Sequence, residues 1–254
     1  MERFDVTEIR KSRILRTEGK LRRVISAILM VIVIPAIMAI GLFVWDDRQY
    51  FLVSILILIC SMLPFFMRFE RRKPKTRELV VIAVMVTIAV VGRAAFYMVP
   101  QFKPVAAIVI ITGVAFGAEA GFITGALSAF TSNLLFGQGP WTPWQMFAFG
   151  MIGFIAGLLF KNEIKTKLSL LCLCIYGALS TFVIYGALLD TASVFMTASK
   201  VTFEMLLATY ISGITFNLIH AAATIFFLVI LARPMLKKLC RIKIKYGIIA
   251  KDDK

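Results

Sequence analysis

The sequence predicts an all-α integral membrane protein with eight transmembrane helices and both termini in the cytoplasm. Three observations carry this. Of the 254 residues, 60% are hydrophobic and 17% charged, with a mean hydropathy of +0.88. A water-soluble domain of that composition would lack the polar side chains to cover its surface. Several apolar runs reach the roughly 20 residues that a hydrocarbon core of about 30 Å requires at helical rise, and the short alternating segments of a barrel are missing. Finally, the 29 Lys and Arg cluster between or outside those runs.

In chain order, residues 1–23 carry eight basic side chains and belong on the cytoplasmic surface. Their basic region is too long for a cleavable signal, and no small-residue cleavage site follows. Residues 24–45 read as the first membrane helix, kinked at Pro35. A turn at 46–49 leads into a return helix at 50–67. The basic connection 68–77 separates this extension, residues 1–76, from a core at 77–235. The third helix, 79–98, holds Arg93 near its outer end and leads into an aromatic loop at 97–103. Residues 104–136 form one apolar stretch of roughly 50 Å at helical rise, too long for a single crossing, so two helices must meet near residues 117–119. A sixth helix spans 143–160, a basic turn follows at 161–167, and a seventh helix covers 168–189. A polar connection at 190–204 precedes the eighth helix, 205–232, and residues 236–254 form a basic tail.

Charge placement tests this topology. It puts 25 Lys and Arg in cytoplasmic segments and only Arg48, Lys103 and Lys200 outside, with Arg93 in the membrane. That imbalance places both termini inside. The net charge of +15 is thus topogenic and lipid-facing, and no nucleic-acid partner is expected, because no basic stripe interleaves with aromatics and no nucleic-acid motif occurs. Cys60, Cys172 and Cys174 sit inside apolar runs and Cys240 in the tail, so they read as small buried hydrophobes rather than disulfides or metal ligands.

The stretch at 133–145 holds two of the three Trp and two of the eight Pro. A simple helix connection needs only a few polar residues. It therefore reads as a binding loop in which Asn133, Phe136, Gln138, Trp141, Trp144 and Gln145 are candidates for ligand contact. Gly113, Gly117, Gly121, Gly125 and Ala129 recur every fourth residue, with Gly150, Gly153 and Gly157 beyond the loop. Small faces of this kind let helices approach closely in lipid, here within the bundle or, as the alternative, against a second membrane protein. Arg93 is costly within a helix unless paired or hydrated. It snorkels outward, pairs with Asp190 or Glu204, or anchors an anionic or carbonyl group of a ligand. Asn217 and His220 share a face of the last helix with Gly213 and Thr224. No second His, Cys or carboxylate on that helix completes a metal site, so a polar cavity wall is the better reading. Phosphate loops, nucleophile elbows and intramembrane carboxylate pairs are absent, so an ATP-driven process needs its ATPase on another chain.

Residues 93–160 carry Val-Pro-Gln-Phe-Lys-Pro at 99–104, the glycine ladder, and Gly-Gln-Gly-Pro-Trp-Thr-Pro-Trp-Gln at 137–145. With these the chain resembles the substrate-binding S component of energy-coupling factor (ECF) vitamin transporters, over about residues 77–235. The resemblance implies a six-helix core preceded here by two extra helices, in a multi-pass protein of the bacterial plasma membrane. It implies capture of a vitamin at the outer face, followed by toppling in the bilayer on association with a transmembrane coupling protein and two ABC ATPases. No cofactor is then expected in this chain, and ATP and magnesium belong to the partner ATPases. The matching ligand positions are Tyr97, Gln101 and Lys103 in the first outer loop, residues 136–145, and the outer part of the last helix. The family often docks through an Ala-x-x-x-Ala pattern on the first core helix, and Ala83 and Thr87 occupy the corresponding places. The motif at 138–144 is most similar to members linked with cobalamin or its precursors, with riboflavin as the alternative vitamin. Two other classes stay open. One is a membrane-embedded enzyme built on Arg93, Glu119, Asn217 and His220, although Glu119 falls at the opposite face from Arg93. The other is a non-transporting sensor.

Overall fold

The computed structural model describes residues 50–71, 76–160, 167–198 and 200–246, which form a helical bundle. The helices are α1 (Tyr50–Arg71), α2 (Thr76–Ala95), α3 (Val105–Phe116), α4 (Ala118–Phe136), α5 (Thr142–Leu159), α6 (Lys167–Leu179), α7 (Gly186–Thr197) and α8 (Phe203–Tyr246). A π-helical segment, Ser180–Tyr185, joins α6 to α7 without a break. Four stretches among the described residues are long and apolar enough to cross a membrane: Thr76–Ala95, Thr142–Leu159, Leu168–Thr197 and Phe203–Lys245. The helix expected at residues 24–45 and both termini lie outside the described residues.

At the centre stands α3, with all 12 residues buried. At about 1.5 Å per residue it spans roughly 18 Å, less than the hydrocarbon core. A helix enclosed on every side carries no polar stripe, and this one is apolar all round but for Thr112, whose hydroxyl donates to the Ile108 carbonyl at 2.8 Å. The chain reverses at Gly117, where φ is +95°, a conformation open to glycine. The break between two helices therefore falls within the expected 117–119.

The glycine ladder packs inside the chain. A Cβ on Gly113 or Gly121 would overlap the Gly153 carbonyl oxygen, one on Gly125 the Phe149 carbonyl, and one on Gly157 the Ala118 backbone nitrogen. Helices α3, α4 and α5 thus meet backbone to backbone, where dispersion substitutes for a hydrophobic drive that lipid does not supply.

Helix α1 lies against α4 and α5 through aromatic rings. Phe65 stacks on Phe122 with centroids 4.2 Å apart and meets Phe154 edge-on at 5.0 Å. Arg68 Nε lies 3.7 Å from Glu119 Oε1, with the arginine side chain 67% exposed, and such a surface pair contributes at most about 1 kcal/mol. The rings hold α1 in place.

Two boundaries differ from the sequence reading. Residues 190–197, expected within a polar connection, continue the seventh membrane segment as α7. Their hydroxyls satisfy themselves within the helix: Thr191 donates to the Ala187 carbonyl at 2.7 Å and Thr197 to the Ser193 carbonyl at 2.8 Å, so polarity did not break it. Likewise α8 does not stop at residue 232 but runs to Tyr246 through Pro234. Buried Leu236 and Leu239 pack this extension back onto the bundle. Lys243 Nζ donates to the Ala115 carbonyl at 2.8 Å, a cation at the negative end of α3. Of the four cysteines expected to be buried, Cys174 is buried and Cys60 half-buried, whereas Cys172 and Cys240 are exposed.

Candidate functional site

Arg93, half-buried in the last turn of α2, reaches across to α4. Its Nη1 donates to Ser132 Oγ at 2.6 Å and to Asn133 Oδ1 at 2.7 Å. Arginine can only donate, so Oδ1 must face it and the amide nitrogen of Asn133 is left to donate elsewhere. That nitrogen reaches Thr142 Oγ1 at 3.0 Å and Gln145 Oε1 at 2.9 Å. Gln145 Nε2 in turn donates to the Tyr185 hydroxyl at 3.3 Å, and Thr142 Oγ1 donates to Gln138 Oε1 at 2.8 Å. Asn133, 0% exposed, is therefore the hub joining α2, α4, α5 and the π-helical segment.

Of the alternatives for Arg93, the ion pair with Asp190 or Glu204 does not form. Asp190 accepts from Asn217 Nδ2 at 2.9 Å, and Glu204 sits in the exposed first turn of α8. The guanidinium instead lies 5.4 Å from the Phe136 ring centroid. Tyr97 stacks on the other part of this layer, 5.1 Å from Phe136.

Beside the hub is a cavity of about 100 Å³, at the end of the bundle that charge counting assigns to the outside. Arg93, Gln101, Lys103, Gln145 and His220 line it together with Val105, Phe149 and Tyr185. The first five were legible as candidates. Phe149 and Tyr185 sit in apolar runs where nothing separates them from core residues, and Val105 opens the central helix. Tyr185 closes the π-helical segment, a local widening that is common at functional sites and that no residue pattern announced. Its ring meets His220 edge-on at 4.6 Å and lies 4.8 Å from Phe149. His220 is 4% exposed, and among the described residues its Nδ1 has no hydrogen-bond partner.

Gln101 has φ +56°, and the Phe102 amide donates across it to the Pro100 carbonyl at 2.7 Å. This is a strained three-residue turn, retained where surrounding structure enforces it. It swings Gln101 and Lys103 over the cavity mouth. Burial, and next the Arg93 charge, hold the Lys103 pKa below the ordinary lysine value.

The other candidates stand away from the cavity. Asn133 and Phe136 support Arg93. Gln138 is exposed on the loop, and Trp141, 39% exposed, covers Gly139. Trp144 is buried, 6.0 Å from Phe195 on α7. Asn217 binds Asp190. Ala83 and Thr87 lie on the exposed face of α2 beside Val80, Val84 and Val91.

A family model described as ECF-type riboflavin transporter, S component, matches residues 73–239. The chain belongs to this family. This S component is a transporter subunit, not an enzyme, and a multi-pass membrane protein. The match takes in every residue that lines the cavity. Its description names riboflavin, whereas the likeness of residues 138–144 pointed to cobalamin. No curated protein and no solved structure matches this S component.

Proposed function

We propose that this S component captures a flat aromatic vitamin of the riboflavin class in the cavity between α2, α5, the π-helical segment and α8. The cavity itself carries the reading. At about 100 Å³ it is tighter than the roughly 300–1,000 Å³ usual for such ligands, so the loop at 96–104, which brings Gln101 and Lys103 to the lining, must shift to admit one. A three-ring vitamin asks for far less widening than a corrinoid, which is several times larger. Phe149, Tyr185 and His220 offer ring faces and edges, and Gln101 and Gln145 offer amides to the polar rim of an isoalloxazine. Titration of the purified chain with riboflavin should quench flavin fluorescence, and cobalamin should not compete. Saturable cobalamin binding with no riboflavin response would transfer the site to corrinoids.

The same reading places capture at the outer face, with both termini inside, and gives ATP and magnesium to two ABC ATPases joined through a coupling protein. The exposed α2 face at Ala83 and Thr87 is the proposed docking surface. Ala83→Leu should reduce recovery of the coupling protein and vitamin uptake severalfold while the affinity for vitamin stays unchanged. If uptake is untouched, docking lies elsewhere.

A further inference from the structure

Two cations meet at the cavity mouth, and among the described residues no carboxylate joins them in the lining. A half-buried guanidinium is costly without a counter-charge, yet both hydrogen bonds that Arg93 makes to Ser132 and Asn133 leave from Nη1 and end on neutral oxygens. The guanidinium fork has five donors in all. Lys103 Nζ makes a long bond, 3.3 Å, to the Val99 carbonyl. The buried His220 ring, also in the lining, has an Nδ1 without a partner among the described residues. A purely structural role for Arg93, tying α2 to α4, explains the Nη1 bonds. It does not explain a second cation swung over the same opening by a strained turn at Gln101.

We infer that Arg93 and Lys103 form an oxyanion subsite, so that the ligand of this S component carries a phosphate or carboxylate group at the cavity mouth. The inference rests on the reading of this cavity as the vitamin site. An oxyanion there relieves the repulsion between the two cations and receives the remaining guanidinium donors in the paired geometry that arginine offers to carboxylate and phosphate. The ring system then lies inward against Tyr185 and Phe149, and a polar edge of it reaches His220. The lowered pKa of Lys103 has its causes in this arrangement, since burial and the neighbouring guanidinium both disfavour its charge.

The test is a set of fluorescence titrations of the purified chain with three flavins at fixed ionic strength: riboflavin, which is uncharged, flavin mononucleotide, which bears a phosphate, and carboxymethylflavin, which bears a carboxylate. At least one anionic flavin should bind about tenfold more tightly than riboflavin, a gain typical of a charge-assisted contact, and which of the two does so identifies the oxyanion. Lys103→Gln should bring that ratio close to one. A wild-type ratio near one overturns the inference and leaves the riboflavin-class reading standing, as does a preference that survives in Lys103→Gln. The wild-type ratio decides even where the variant fails to fold. If no flavin binds, the riboflavin-class reading falls, and the subsite is judged with inorganic phosphate and acetate alone. A melting-temperature rise over chloride at matched ionic strength, lost in Lys103→Gln, supports it, and no rise overturns it.

Discussion

Gly121→Val is expected to yield almost no monodisperse protein in detergent, and Gly121→Ala to melt well below the wild type. A Cβ at this position would overlap the carbonyl carbon and oxygen of Gly153 and crowd the Gly113 Cα. All of these are backbone atoms, which no rotamer change can move aside. Overpacking a core ordinarily costs about 1–3 kcal/mol because side chains give way. Here relief requires α4 to separate from α5 along the closest seam of the bundle, so the loss should exceed that range and consume much of the roughly 5–15 kcal/mol that separates folded from unfolded protein. Moving α4 also moves Asn133, so vitamin binding should vanish with the fold. A matched change on the lipid-exposed side of α2, Val91→Leu, should alter the melting temperature by little. Equal melting of Gly121→Ala and wild type would remove the glycine seam as the basis of the bundle.

The parts of this fold that could be read in the residues are those governed by bilayer thickness and backbone sterics. Residues 104–136 are too long for one crossing, which forced a reversal, and Gly117 with its positive φ supplies it. The four-residue ladder from Gly113 through Gly125 suits close backbone approach in lipid, within the bundle or against a second membrane protein, and the contacts of Gly113, Gly121 and Gly125 with Gly153 and Phe149 are the first of these. Helix ends were less legible. Hydroxyls at Thr191 and Thr197 look like loop polarity, yet each bonds to a carbonyl one turn back. The basic run after residue 232 looks like a tail, yet Leu236 and Leu239 keep helical spacing and are buried. At the site, rarity misdirected attention: Trp144 stands out because tryptophan is scarce, but its surroundings are Phe195 and the bundle interior. Tyr185 and Phe149 went unseen for the opposite reason, since aromatic residues in apolar runs are common and nothing in their spacing marks the two that line the cavity.

Asn133→Ala should lower vitamin affinity about a hundredfold although Asn133 does not line the cavity, and this separates positioning from contact. The substitution deletes an acceptor from Arg93 and donors to Thr142 and Gln145. Ordinary hydrogen bonds contribute about 0.5–1.5 kcal/mol each and those to a charge about 1.5–3, so the three together amount to roughly 2.5–6 kcal/mol. Part of that loss appears as stability and part as affinity, because Arg93 and Gln145 line the cavity and both are held by this one amide. Asn133→Asp distinguishes the two components. A carboxylate keeps the contact with Arg93 and makes it an ion pair, but it cannot donate to Gln145 or to Thr142, whose one hydroxyl proton already goes to Gln138. It should therefore melt closer to wild type than Asn133→Ala does. It also gives Arg93 the counter-charge that the cavity otherwise lacks, so an anionic flavin should lose more affinity than riboflavin does. If Asn133→Asp instead weakens both flavins equally, Asn133 matters only for the shape of the bundle end, and the electrostatic account of the cavity mouth loses its support.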